Sequence, residues 1–180
     1  MNTKKLASLL SKLFKGLTVL TGVGIFSIII LFVTKNLWLP SISPLFNEFT
    51  INNVLISDSI DMTPVFSSFL MYLLYALQIS LYGVLFFSLS QLFKSIVDNS
   101  VFTKKNLNKI YTIGISLMGI STLANVLGFY AYSLLSSELT SVSSDITFYL
   151  FDLTPGILIL TIGLFFSQGI KLQEENELTI

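Results

Sequence analysis

Three polar side chains within long hydrophobic stretches are the residues of this chain best suited to chemistry. Gln78 and Asn125 are amides, and Asp152 is the one carboxylate expected inside a hydrophobic stretch. Polar and ionisable groups at membrane depth commonly mark ion or substrate paths, so a polar lining is one hypothesis for these residues, and helix packing by the two amides is the other. They do not predict acid–base catalysis, because no second carboxylate accompanies Asp152. We therefore expect no enzyme activity, no metal site and no cofactor.

The residue types missing from the chain narrow its chemistry further. The sequence contains no Cys and no His, and all 10 of its basic residues are Lys. Thiolate chemistry, Cys-ligated metals and imidazole catalysis are thereby excluded. Because Arg is absent, the chain cannot make bidentate arginine contacts to bases, which argues against direct nucleic-acid binding.

Four hydrophobic stretches occupy most of the chain. Of its 180 residues, 53% are hydrophobic and 11% are charged, whereas soluble domains carry roughly 25% charged residues. A helix of about 20 apolar residues crosses the ~30 Å hydrocarbon core of a bilayer. The pattern predicts an all-α, polytopic membrane protein with a single domain over residues 1–180. Its four transmembrane helices would form an antiparallel bundle, with spans at about 16–34, 65–93, 110–135 and 146–170.

Local signals indicate where some of these helices begin and end. Asp98 and Asn99 suit a turn after the second helix, and Thr103 suits the start of the third. Pro155 is predicted to kink the fourth helix near its outer end, because proline removes a backbone hydrogen bond. A helix that started only at Pro155 would leave a short span, so the kinked helix is preferred.

The lysines predict how the chain is oriented in the membrane. Nine of the 10 fall on one side of the four stretches, and only Lys35 falls on the other. Basic residues are retained on the cytoplasmic side during insertion. We therefore expect a multi-pass protein of the cell membrane, in contact with the lipid bilayer, with both termini cytoplasmic. The hairpin 95–108 and the tail 171–180 would be cytoplasmic, and the loop 36–63 would lie outside.

Packing between the helices is predicted from their small and amide side chains. Gly114, Gly156 and Gly163 belong to rows of small residues that allow helix backbones to approach closely. Ordinary helix packing is the favoured explanation of these rows, and a substrate passage is the alternative. Gln78 and Asn125 should lie at the same depth, about 14 Å from the outer edge. We expect them to share a hydrogen bond, directly or through water.

Two motifs on the lysine-rich side resemble those of a known family. The hairpin contains Phe102-Thr103-Lys104-Lys105-Asn106, and the chain closes with Gly169-Ile170-Lys171-Leu172-Gln173-Glu174-Glu175-Asn176-Glu177-Leu178-Thr179-Ile180. These resemble the patterns "Phe-Thr-x-x-Asn" and "Gly-x-x-Leu-x-x-Glu-x-(Asp/Glu)-Leu-Thr-Ile" of the bacterial four-helix membrane proteins grouped as domain-of-unknown-function family 2975. Many relatives have Gly and Pro where this chain has Ser100 and Val101, and an Arg after the motif Asn.

The resemblance implies a partner rather than an activity. Genes of the family often lie beside small helix-turn-helix regulators, so the leading hypothesis is a non-enzymatic membrane partner that binds or restrains such a regulator. The candidate partner-binding residues are those of the two motifs: Phe102, Thr103, Lys104, Lys105, Asn106, Gly169, Leu172, Glu175, Glu177, Leu178, Thr179 and Ile180.

Several questions stay open at the level of sequence. The tail glutamates could pair with the hairpin lysines Lys104, Lys105 and Lys109, or they could contact a partner. A small transporter, channel or resistance protein that uses Gln78, Asn125 and Asp152 is the alternative function. A purely structural subunit is a third hypothesis, and a homo-oligomer is compatible with all three.

Overall fold

Four long helices make up most of the protein. The computed structural model describes residues 3–42, 49–51, 54–56, 68–135 and 150–177, with side chains described over 3–34, 68–131, 133–134 and 152–175. The helices are α1 (Thr3–Ile42), α2 (Phe69–Val97), α3 (Lys104–Leu135) and α4 (Thr154–Glu177). Each is long and apolar enough to cross a membrane. The predictions of an all-α fold and of a multi-pass membrane protein are therefore confirmed.

Two shorter elements connect the helices. A two-stranded hairpin, β1 (Phe49–Ile51) with β2 (Val54–Ile56), lies between α1 and α2. A 3₁₀ turn at Leu150–Leu153 leads directly into α4. Both fall on the side of the chain predicted to be outer, and the residues just before the 3₁₀ turn, where the predicted fourth span begins, lie outside the described residues.

The helices pack in chain order, α1 on α2, α2 on α3 and α3 on α4. The residue pairs of α1 and α2 run in opposite order along the chain: Ser11 contacts Ser90, Thr21 faces Gly83, and Phe32 contacts Phe69. Between the described parts of α1 and α4 there is no comparable packing. The contacts therefore form a row of helices and do not close it into a ring.

Helix α1 extends beyond its predicted span at both ends. It contains 40 residues, which corresponds to about 60 Å, twice the thickness of the hydrocarbon core. The helix continues to Ile42, so the first residues of the predicted outer loop 36–63 are helical, whereas the apolar stretch long enough to cross a membrane ends at Thr34, as the sequence predicts. Its first turns, which carry the lysines, contact the end of α2. Phe14 stacks on Phe93 with ring centroids 5.6 Å apart.

The predicted kink in α4 was also wrong. The helix begins at Thr154, so Pro155 occupies its first turn, where a missing N–H breaks no helical hydrogen bond. The expectation failed because α4 was assumed to end at residue 170. It continues to Glu177, and its 24 residues extend about 36 Å, enough to cross a bilayer from this start.

A cysteine pair should test the α1–α2 packing. Each of Ser11 and Ser90 donates its hydroxyl to the other's backbone carbonyl at 2.9 Å, and the two Oγ atoms are 3.4 Å apart. Because the chain has no cysteine, the double variant Ser11→Cys/Ser90→Cys has no competing thiol. We expect oxidation to give an intramolecular disulfide, seen as a mobility shift on non-reducing gels. Ser27→Cys/Ser90→Cys is the control, and equal cross-linking of both pairs would contradict this packing.

Candidate functional site

The turn between α2 and α3 is built by its backbone. Helix α2 ends with Asp98 as its C-cap, followed by Asn99 at a φ of 54°. The amide of Ser100 donates to the carbonyl of Ser95 at 2.9 Å, and that of Asn99 donates to Ile96 at 3.3 Å. This is the hydrogen-bond pattern of a Schellman motif, in which a residue of left-handed conformation stops the helix. The prediction that Asp98 and Asn99 make the turn is confirmed.

Thr103 and Asn106 close the turn from the other side. The hydroxyl of Thr103 accepts the backbone N–H of Asn106 at 3.3 Å, so Thr103 caps α3 as predicted. The Asn106 side chain is buried, with 3% of its surface exposed. Its Nδ2 donates to the carbonyls of Ser100 and Val101 at 2.6 and 2.9 Å. The motif Asn is therefore a structural clamp on the hairpin.

The same contacts explain why the departures from the family pattern can be accommodated. Asn106 bonds the backbone carbonyls of Ser100 and Val101, and those carbonyls are present whatever the two side chains are. The Oδ1 of Asn106 accepts from the Nζ of Lys109 at 3.0 Å, and the same Nζ reaches the carbonyl of Gln91 at 3.4 Å. Lys109 of α3 thus places a cation next to Asn106, although this chain lacks the Arg that follows the Asn in many relatives.

The two motifs meet at one place, which we name the hairpin–tail junction: Phe102 and Lys104 with Phe166, Gly169 and Glu174. The rings of Phe102 and Phe166 stack with centroids 5.0 Å apart. Gly169 faces the same Phe102 ring, which lies 3.5 Å from where a Cβ would stand. Lys104 Nζ is 3.0 Å from Glu174 Oε1. One of the tail-to-hairpin ion pairs left open by the sequence is therefore present.

The junction is exposed rather than closed. The side chains of Lys104 and Glu174 are 77% and 52% exposed, and Phe102 is 55% exposed in spite of its stacking. An exposed ion pair contributes at most about 1 kcal/mol to stability. The contacts therefore hold the tail helix against the hairpin without burying either, and both remain accessible.

The other candidate partner-binding residues lie around this junction or outside the described residues. Lys105, Leu172 and Glu175 are exposed on α3 and α4. Glu177 is the last helical residue, and its side chain is outside the described part, as are Leu178, Thr179 and Ile180. Sequence reasoning missed Phe166, because nothing local marks one phenylalanine of a hydrophobic helix as a partner for the hairpin.

Two of the three candidate polar residues of the spans are hydrogen-bonded to Ser121, Asn125 through its side chain and Asp152 through its backbone carbonyl. Gln78 and Asn125 form no direct hydrogen bond, and Asn125 Nδ2 donates to Ser121 O of its own helix at 3.0 Å. The alternative that water links the two amides stays a prediction. Ser121 Oγ in turn donates to the backbone carbonyl of Asp152 at 2.8 Å. Asp152 lies in the 3₁₀ turn before α4 and is exposed. It therefore stands just outside the α4 span, not within it.

Small residues account for the close approach of α3 and α4. A Cβ on Gly114 would stand 2.7 Å from Leu160 and 3.1 Å from the carbonyl of Gly156, and one on Gly163 would stand 2.7 Å from Tyr111. These contacts agree with the packing explanation of the small-residue rows. Among the residues with described side chains, no group of His, Cys, Asp or Glu could hold a metal ion.

Fold and junction together define a class, the multi-pass α-helical membrane proteins. Within this class, residues 39–180 match the family model described as "Protein of unknown function (DUF2975)". The match covers most of the chain, which therefore belongs to that family. No curated protein and no solved structure matches the chain.

Proposed function

We propose that this chain is a non-enzymatic membrane partner of a small helix-turn-helix regulator, which docks on the hairpin–tail junction. The observation that carries the proposal is the stacking of Phe102 on Phe166, which brings both family motifs to one exposed place. In the proposed arrangement the four helices cross the cell membrane in alternating directions. The termini, the hairpin and the junction then face the cytoplasm, as the lysines indicate.

The exposed apolar side chains of the junction support a docking role. Most exposed apolar residues of this protein lie in the hydrophobic parts of the helices, where lipid covers them. Phe102 is in the hairpin, and Leu172, 60% exposed, follows Lys171, beyond residue 170, where the sequence predicts that the fourth span ends. Apolar side chains beyond a span face water unless a partner covers them, and aromatic ones are frequent anchors of interfaces.

The charges of the junction suit a regulator that binds DNA. Glu174, Glu175 and Glu177 form an acidic run at the end of α4. A DNA-recognition surface is basic, so an acidic helix end can attract it and compete with DNA for it. Docking on the membrane would thereby restrain the regulator. The ion pair of Lys104 with Glu174 is exposed and weak enough to be exchanged for a contact with the partner.

Co-purification with a small helix-turn-helix regulator from the same genome tests the proposal. We expect Phe102→Ala to weaken binding about tenfold or more, the usual cost of truncating an aromatic anchor. Deleting residues 174–180 should also weaken it, most strongly at low salt. Phe165→Ala is the matched control, because Phe165 is 75% exposed but lies within the α4 span. Full binding by both junction variants would rule out this docking site.

A further inference from the structure

A second basic surface lies away from the junction, on one flank of the α1–α2 pair. Lys12 and Lys15 each follow a residue that faces α2, since Ser11 bonds Ser90 and Phe14 stacks on Phe93. Successive helical residues are rotated by about 100°, so both lysines lie on the same flank of α1. Each of them is exposed.

Helix α2 contributes a third lysine to this flank. Lys94 directly follows Phe93, whose ring stacks on Phe14, and it is exposed. The chain runs in opposite directions along α1 and α2. On each helix, the residue that follows a contact residue is rotated by about 100° around the helix axis, and for such a pair this rotation places it on the same side of both helices. Lys12, Lys15 and Lys94 therefore form one cluster, which we name the basic flank.

No acidic side chain in the described part of the chain neutralises the basic flank. None of its three lysines pairs with an acid among the residues whose side chains are described, and Asp98, one turn beyond Lys94, forms no ion pair with it. Three uncompensated ammonium groups at the boundary of a membrane constitute an anion-binding surface.

An apolar surface continues the basic flank into the membrane. Val19, Gly22 and Phe26 lie four, seven and 11 positions after Lys15, within about 40° of it around the helix. Val19 and Phe26 are 65% and 64% exposed, and a Cβ on Gly22 would meet nothing within 4 Å. On α2, Phe87 stands two turns before Lys94 on the same flank and is 55% exposed. The lysines thus lie next to an exposed apolar strip on the same flank.

We propose that the basic flank binds the phosphate headgroup of an anionic phospholipid, whose acyl chain lies along Val19, Gly22 and Phe26. A phospholipid fits because it offers an anion and an apolar chain in one molecule, at the spacing of this surface. A water-soluble acidic partner could contact the lysines but could not cover the apolar strip within the hydrocarbon core. Lysine stems pack along apolar surface while their ammonium groups reach the phosphates. The inference does not depend on the regulator.

Lipid retention by the purified full-length protein tests this inference. The protein in detergent is offered phosphatidylglycerol or phosphatidylcholine, and retained lipid is counted by native mass spectrometry. We expect the unaltered chain to prefer phosphatidylglycerol. Lys15→Gln/Lys94→Gln should reduce that preference about 30-fold, from about 1 kcal/mol per lysine at a charged surface. Lys15→Arg/Lys94→Arg should retain it.

The matched control is Lys105→Gln/Lys171→Gln, which removes two exposed lysines from the same side of the membrane but from α3 and α4. Circular dichroism of each variant establishes that the helices are intact. Equal retention of the two lipids by the unaltered chain would overturn the proposal. An equal loss in the control would also overturn it, because the lysines would then act only through total charge.

Discussion

Replacing Asn106 by alanine is expected to destabilise the protein by about 2–4 kcal/mol. The substitution removes three side-chain hydrogen bonds, two donated to the carbonyls of Ser100 and Val101 and one accepted from Lys109. A typical bond contributes about 1 kcal/mol, bonds to charged groups contribute more, and each buried group left unpaired adds a desolvation cost. Because native proteins are stable by only about 5–15 kcal/mol, this is a large effect. The measurement is the free energy of unfolding in mixed micelles.

Two further variants distinguish the loss of the Asn106 hydrogen bonds from the general effect of substituting a residue in a helix. Asn108→Ala lies two residues later on an exposed position of α3 and should change stability by less than about 0.5 kcal/mol. Asn106→Asp keeps an acceptor for Lys109 but turns oxygen atoms towards the carbonyls of Ser100 and Val101. It should therefore be nearly as destabilising as alanine. If Asn106→Ala proves as stable as Asn108→Ala, the hairpin does not rely on this clamp.

Adding one methyl group at Gly156 is expected to separate α3 from α4. A Cβ there would overlap the Met118 side chain and would stand 2.8 Å from the carbonyl of Gly114 and 3.1 Å from the amide of Met118. Backbone atoms cannot move aside without displacing the helix, and overpacking costs typically about 1–3 kcal/mol. Gly156→Ala should therefore lower the free energy of unfolding by that amount, and a larger side chain should lower it further.

Gly16→Ala provides the comparison for this prediction. A Cβ on Gly16 would have no atom within 4 Å, and alanine is favoured over glycine in a helix by about 0.5–1 kcal/mol. This variant should therefore be neutral or slightly stabilising. Both substitutions add one methyl group to a helical glycine, so a loss of stability only at Gly156 reports the close approach of α3 and α4. Equal stability of the two variants would contradict the packing at Gly156.

The contrast between Thr103 and Pro155 shows which local signals were enough to predict where a helix begins. Thr103 begins α3 as predicted, because an N-cap depends on a hydrogen bond to a backbone N–H three residues away. The Pro155 prediction failed because it depended on where α4 ends, 22 positions later at Glu177. A cap formed within three residues could be predicted from the residues alone. The position at which a long helix ends could not, because it depends on contacts far along the chain.

In the candidate site, too, some features could be predicted from the sequence and others required the structure. The two motifs could be selected from the sequence, and an ion pair between them could be anticipated, because opposite charges lay on the same predicted side. The clamp of Asn106 on Ser100 and Val101 could not be derived, since it needs the turn geometry. The expected pairing of Gln78 with Asn125 is a contact between two helices that the sequence did not predict correctly as a direct hydrogen bond. The amides form no direct hydrogen bond in spite of their equal predicted depth, and Asn125 bonds instead to Ser121 one turn away on its own helix.

The sequence by itself determined that this is a four-helix membrane protein, and it indicated which end of each helix carries the lysines. Those properties depend on stretches of about 20 residues, each of which satisfies its own backbone hydrogen bonds in lipid. Only the tertiary structure decided that the helices pack as a row, that Phe102 stacks on Phe166, and that Lys94 stands on the same flank as Lys15. These relations join residues on different helices, and most apolar side chains can face lipid as readily as another helix.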